Sequence, residues 1–367
     1  MLVVTTLRSC RFRVVAAVGL ALLLGCAESR SREAGGQWVF YPPEPTPTRV
    51  VALGPISGKI VEQAEQHSAL RQFVTGEDTS EIETGLIRPL SVTVRGHELI
   101  VCDVGRSAVI RIDPLTGKIS SLMRDGQKPT KPVAVTADAN GNVYVSDLAG
   151  GSVLQIDQSG SIRNQYRPAG STTDFKPIAA AVSNDKLYVV SRTSRRIELF
   201  DLASAKHLGP LGAGEQDENL PVFPVDIAVD AAGRIYAVDL IACQVKVYQP
   251  DGRLIRQIGQ AGNRPGQFAR PRSVAIGPDG VIYVSDTASQ VVQMFDADGQ
   301  LLMVFGEPGN DLGSMTLPAG LCINQSMARL FEKRLPKGYV SDYLVFVADQ
   351  LGPGRIGVYA FGRFGGK

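Results

Sequence analysis

The chain is written in short apolar or alternating runs broken by turn signals, and the stretch Arg270 to Gly306 shows the pattern most clearly. It reads RPRSVAIGPDG, VIYVSDTASQ, VVQMFDADG and QLLMVFG. The pieces are separated by Pro-Asp-Gly, Asp-Thr-Ala-Ser and Asp-Ala-Asp-Gly, residues that favour turns because Gly reaches positive φ, Pro presets φ and Asp bonds the nearby backbone. Four such runs in succession predict an antiparallel meander. The same pattern opens at Pro89, Pro132, Pro177, Pro224, Pro271 and Pro318, at spacings of 43, 45, 47, 47 and 47 residues. A four-strand unit recurring every roughly 40 to 50 residues is the mark of a propeller blade, because one small sheet cannot bury both faces alone. The predicted fold is all-β: a six-bladed β-propeller of four-stranded blades.

The last unit tests this. It has a first strand at Ala319 to Asn324, a second at Tyr343 to Asp349 and a third at Arg355 to Phe361, but no fourth. Arg49 to Gly54 (RVVALG) matches the outer strands LIRQIG at Leu254 to Gly259 and LLMVFG at Leu301 to Gly306. An N-terminal strand is therefore expected to complete blade six and close the ring, which leaves no long exposed edge.

Units that run Pro, apolar strand, Gly or Asp turn, Tyr-Val-x-Asp, Val-x-x-Phe and Asp-Gly resemble NHL repeats, which implies a six-bladed propeller. The resemblance covers Arg88 to Phe361 together with Arg49 to Gly54. Blade three departs from it, since Ser191 stands where the other blades have Asp103, Asp147, Asp239, Asp286 and Asp349. Each of these aspartates ends a second strand, where a carboxylate can accept turn N–H groups.

Upstream, Arg8, Arg11 and Arg13 precede an apolar run from Val14 to Leu24, too short to span a bilayer but suited to the core of a signal peptide over residues 1–25. Leu23-Leu24-Gly25-Cys26 resembles a bacterial lipobox, which implies a lipid-modified Cys26, a membrane attachment and a place in the cell envelope; Ala27 points to the outer membrane. Residues 26–48 then read as the lipidated cysteine and a Pro-rich tether (YPPEPTPT), with the propeller over 49–367. A helical insert is expected at about 57–75. A second insertion, Gln325 to Gly338, falls between first and second strands and so on the opposite face.

Removing the signal takes three arginines and no acid, leaving 35 Lys+Arg against 36 Asp+Glu. That balance gives no bulk basic character to attract nucleic acid. Cys102, Cys243 and Cys322 remain, in blades one, four and six and without metal-ligand spacing, and read as buried or half-buried thiols.

Candidate chemistry turns on the channel. The second and fourth residues after each proline are Ser91 and Thr93, Ala134 and Thr136, Ala179 and Ala181, Asp226 and Ala228, Ser273 and Ala275, Gly320 and Cys322. This small set is assigned to the channel, and the intervening Val92, Val135, Ala180, Ile227, Val274 and Leu321 to the packing between blades. Lactonases and amidating lyases that resemble this propeller hold calcium or zinc on several converging ligands. Here the channel set offers one carboxylate, Asp226, and the three histidines, His67, His97 and His207, are scattered. No cofactor or metal is expected. The residues before the prolines include Arg88, Lys131, Lys176 and Arg270, with Phe223 and Leu317 in the other two blades; blade three adds Arg192, Arg195 and Arg196 in a turn on the same face. That rim suits an anionic protein or acidic glycan. The sequence thus favours a non-catalytic, lipid-anchored binding or scaffold module, with a hydrolase or lyase of the lactonase or strictosidine-synthase-like type as the alternative.

Overall fold

The computed structural model describes residues 38–43, 46–58, 85–124, 127–169, 175–214, 216–352 and 355–365. The signal peptide, Cys26, His67 and the helical insert from residue 59 onward lie outside the described residues.

Six antiparallel sheets form the ring. Their inner strands are Pro89–Arg95, Pro132–Ala137, Pro177–Ser183, Pro224–Val229, Pro271–Ile276 and Pro318–Asn324, so each blade starts at its proline. Five sheets run in sequence order from inner to outer strand. Blade six is assembled from both ends of the chain, in the order Val39–Tyr41, Val50–Ile56, Ile356–Phe364, Tyr339–Asp349, Pro318–Asn324. Closure by an N-terminal strand is as the sequence predicts. The surprise is the fifth strand: part of the Pro-rich stretch read as tether folds back, Val39 pairing with Ala52 and Tyr41 with Val50. It covers the edge that Val50–Ile56 would otherwise present.

The second strands explain the apolar runs. In blades two, four and five they are buried along their whole length, because both faces of each sheet pack on a neighbouring blade. Between blades four and five, for example, Val238, Val245 and Ile258 meet Val274, Ile282 and Val284. Each such side chain stabilises by about 1.5–3 kcal/mol on full burial.

The recurrent aspartates do more than hold turns. Asp103 accepts the turn N–H groups of Gly105 (3.0 Å) and Arg106 (3.3 Å), and also those of Ile87 (2.7 Å) and Arg88 (2.9 Å) on the segment entering the inner strand. Asp147, Asp239, Asp286 and Asp349 repeat this double grip. In blade three, Ser191 Oγ accepts the Ser194 N–H at 3.4 Å, a much looser tie.

The small residues of the inner strands serve the approach of neighbouring blades as well as the channel. Val92, Val135, Ile227, Val274 and Leu321 do pack against the preceding blade. The small set lines the central channel, Ala179 excepted, and Ala181, Ala228 and Ala275 also pack against the following blade. Three of these side chains bond the backbone of the next inner strand. Ser91 Oγ takes the Val135 N–H (3.1 Å), Asp226 Oδ2 the Val274 N–H (3.0 Å) and Ser273 Oγ the Leu321 N–H (3.1 Å). At the ring's closing seam even a Cβ would not fit: placed on Gly320 it would stand 2.7 Å from Ser91 Cα.

Candidate functional site at the channel and its rim

The inner strands enclose a central cavity of about 230 Å³ lined by both rows of side chains, including Ser91, Thr93, Asp226, Ser273 and Cys322. Asp226 is held hard. Its Oδ2 accepts the Ser273 hydroxyl at 2.5 Å as well as the Val274 N–H. Burial pushes its carboxyl above the ordinary range, and these hydrogen bonds pull the other way. Beside it stands a residue that the sequence reading did not single out. Arg272 follows the opening proline of blade five, where other blades place Leu90, Val133, Ile178, Val225 and Ala319. It lines the same cavity, and burial lowers its guanidinium from the ordinary value, with the charge of Asp226 opposing that shift and Arg270 adding to it. The signal was available: one cation in a position otherwise apolar.

The rim residues sort into groups. Lys131 and Lys176 enter blades two and three, and Arg192 begins the blade-three turn, its N–H bonded to the Lys176 carbonyl at 2.8 Å. With Leu148, Ala149 and Thr193 they line one pocket of about 470 Å³. Among the described residues none of the three cations is in an ion pair, so their charge is offered outward. Arg195, in the left-handed region at φ 55°, instead lays its guanidinium over the Phe223 ring of blade four, 5.9 Å from the centroid. Arg88 donates from Nε to Gln350 Oε1 at 3.1 Å, and Arg270 neighbours Arg272. The ring of cations is therefore a cluster at blades two and three with outliers, not an even circle.

The same face also carries apolar side chains that the sequence reading passed over. Ile87 and Val222, on the segments gripped by Asp103 and Asp239, are 48% exposed, and Ile241 and Leu351, in second-to-third-strand turns, are 61% and 59% exposed. Four exposed large apolar groups, in blades one, four and six, share this face with the cationic pocket of blades two and three.

No group of three or more His, Cys, Asp or Glu side chains converges as a metal site among the described residues. His97 is exposed in its turn, and His207 Nε2 lies 2.9 Å from Glu198 Oε2 with its ring 5.0 Å from Phe200. Cys102, Cys243 and Cys322 are free; burial pushes the Cys322 thiol up to about 11 and the Cys102 thiol higher still.

Comparison with known proteins bears on the fold. A family model described as a 6-bladed beta-propeller matches residues 215–305. No curated protein sequence matches the chain. Among solved structures, a gluconolactonase from Xanthomonas campestris superposes with a TM-score of 0.58 at 12% identity, covering 95% of this chain and 99% of that one. A structural genomics protein of unknown function from Bacteroides thetaiotaomicron gives 0.58 at 18% identity, over 85% and 75%. A catalytically inactive virginiamycin B lyase from Staphylococcus aureus, with quinupristin, gives 0.51 at 15% identity, over 74% and 80%. At these identities the likeness is one of fold.

Proposed function

We propose that this chain is a non-catalytic binding or scaffold module, attached to the bacterial cell envelope through a lipid on Cys26, that engages an anionic protein or glycan on the face bearing the crossovers. The observation that carries the reading is the pocket in which Lys131, Lys176 and Arg192 gather, with no ion pair to any of them among the described residues. The exposed Ile87, Val222, Ile241 and Leu351 on the same face favour a protein over a glycan, since apolar contacts add affinity that a polar polymer does not use. The reading is tested by using the purified protein as bait in envelope extract at low and high salt. Capture of an acidic partner, weakened by salt, supports it; capture that is salt-insensitive and unchanged by rim substitutions defeats it.

A second reading, a hydrolase or lyase acting in the channel, draws on the gluconolactonase and lyase among the similar folds. Its available acid-base group is Asp226, already committed to Ser273 and Val274. Turnover of a lactone by the wild-type protein, abolished in Asp226→Asn, would sustain it.

A further inference from the structure

We infer that Arg272 makes the channel a binding site for a small monoanionic carboxylate, separate from the rim pocket at blades two and three. Three observations converge. First, the guanidinium lines a cavity of about 230 Å³, against the roughly 30 Å³ that one water occupies in the liquid. Second, among the described residues its N–H donors have no hydrogen-bond acceptor and it forms no ion pair. The nearby carboxylate that balances its charge, Asp226, points its bonds elsewhere, to Ser273 and Val274. A planar fork of donors facing a cavity suits a carboxylate, which it can meet with two parallel bonds. Third, the equivalent positions are Leu90, Val133, Ile178, Val225 and Ala319, the first four of which line the cavity together with the charged group. A ligand with a carboxylate head and a short hydrocarbon body matches both parts.

Charge decides between carboxylate and phosphate. Arg272 feels the attraction of Asp226 and the repulsion of Arg270, so the site has about one spare positive charge, and a dianion would also face the Asp226 carboxylate. One negative charge is the better match.

The test uses the full-length protein and two probes, propionate and inorganic phosphate, with binding read by calorimetry. Arginine side-chain N–H resonances supply a second readout on the wild type. Propionate is expected to bind and to shift one arginine signal, and phosphate to bind more weakly. Arg272→Gln, checked for folding by circular dichroism, should weaken propionate at least about tenfold, the scale set by a charge-assisted hydrogen bond. Arg272→Lys keeps the charge but loses the fork, and should fall between the two. Lys176→Glu with Arg192→Glu should leave propionate binding unchanged, which separates this site from the rim. Equal affinity in wild type and Arg272→Gln, or no heat and no shifted resonance in the wild type, overturns the inference.

Discussion

The carboxylate of Asp226 on blade four receives the hydroxyl of Ser273 on blade five at 2.5 Å, and Ser273 in turn receives the Leu321 N–H of blade six at 3.1 Å. Two side chains thus stitch three inner strands, each of which would otherwise leave backbone groups unpaired along the axis. Asp226→Ala should remove both bonds to blade five and cost about 2–4 kcal/mol in denaturant unfolding.

A pH dependence follows from the same group. Burial raises the Asp226 carboxyl above its ordinary 3.8, so the folded protein keeps a proton that the unfolded chain has already lost. Stability from this group is fully present below the unfolded value and is lost as pH rises through the folded one. Unfolding measured across the acid range should show that slope reduced in Asp226→Asn.

The aspartate grip on the crossovers predicts a second stability effect. Asp286 accepts four N–H groups, from Ala269, Arg270, Ala288 and Ser289, at 2.7 to 3.2 Å. Asp286→Ala orphans all four and should destabilise by about 2–4 kcal/mol. Ser191→Ala, which loses one long bond in blade three, should cost well under half as much in the same measurement.

Ring closure has a single-atom test. Tyr339 donates its hydroxyl to the Arg49 carbonyl at 2.8 Å, with the Ala360 carbonyl at 3.1 Å, tying the N-terminal strand to blade six. Tyr339→Phe should lower stability by about 1 kcal/mol and raise hydrogen exchange in Val50–Ile56 before other strands.

What the sequence made legible is what repeats. The six prolines and their turns announce the blades because each turn needs particular residues at fixed offsets, and Arg49 to Gly54 could be matched to its sister strands by alternation. The grip of Asp103 on Ile87 and Arg88 was hidden, because its partners lie 16 and 15 residues upstream and meet it only once the sheet registers. Val39–Tyr41 escaped because the neighbouring prolines of YPPEPTPT speak for extended spacer, and whether such a segment pairs depends on an edge being open beside it. The alternation of small inner residues places them at the channel, but the close approach of Gly320 to Ser91 across the seam depends on how neighbouring blades meet. At the rim, pattern gave the cations but not their partners: only the fold reveals that Arg195 turns to Phe223 while Lys131, Lys176 and Arg192 remain together.

The proposed anchor is tested by Cys26→Ser, which should move the protein from the membrane fraction to the soluble fraction. Retention in membranes would assign attachment to something other than lipid on that residue.

The central claim is that the cationic pocket at blades two and three is where this propeller binds. Its direct measurement is partner retention, at two salt concentrations, by the wild type, by a Lys131→Glu, Lys176→Glu, Arg192→Glu triple variant, and by a Lys333→Glu control in the insertion on the opposite face. Among the described residues the three rim side chains form no ion pairs, so the triple variant should fold normally. The account predicts retention lost in the triple variant, kept in the control, and falling with salt in the wild type as charges are screened within a Debye length of about 10 Å at 0.1 M. Unchanged retention in the triple variant, or loss in the Lys333→Glu control, would contradict it.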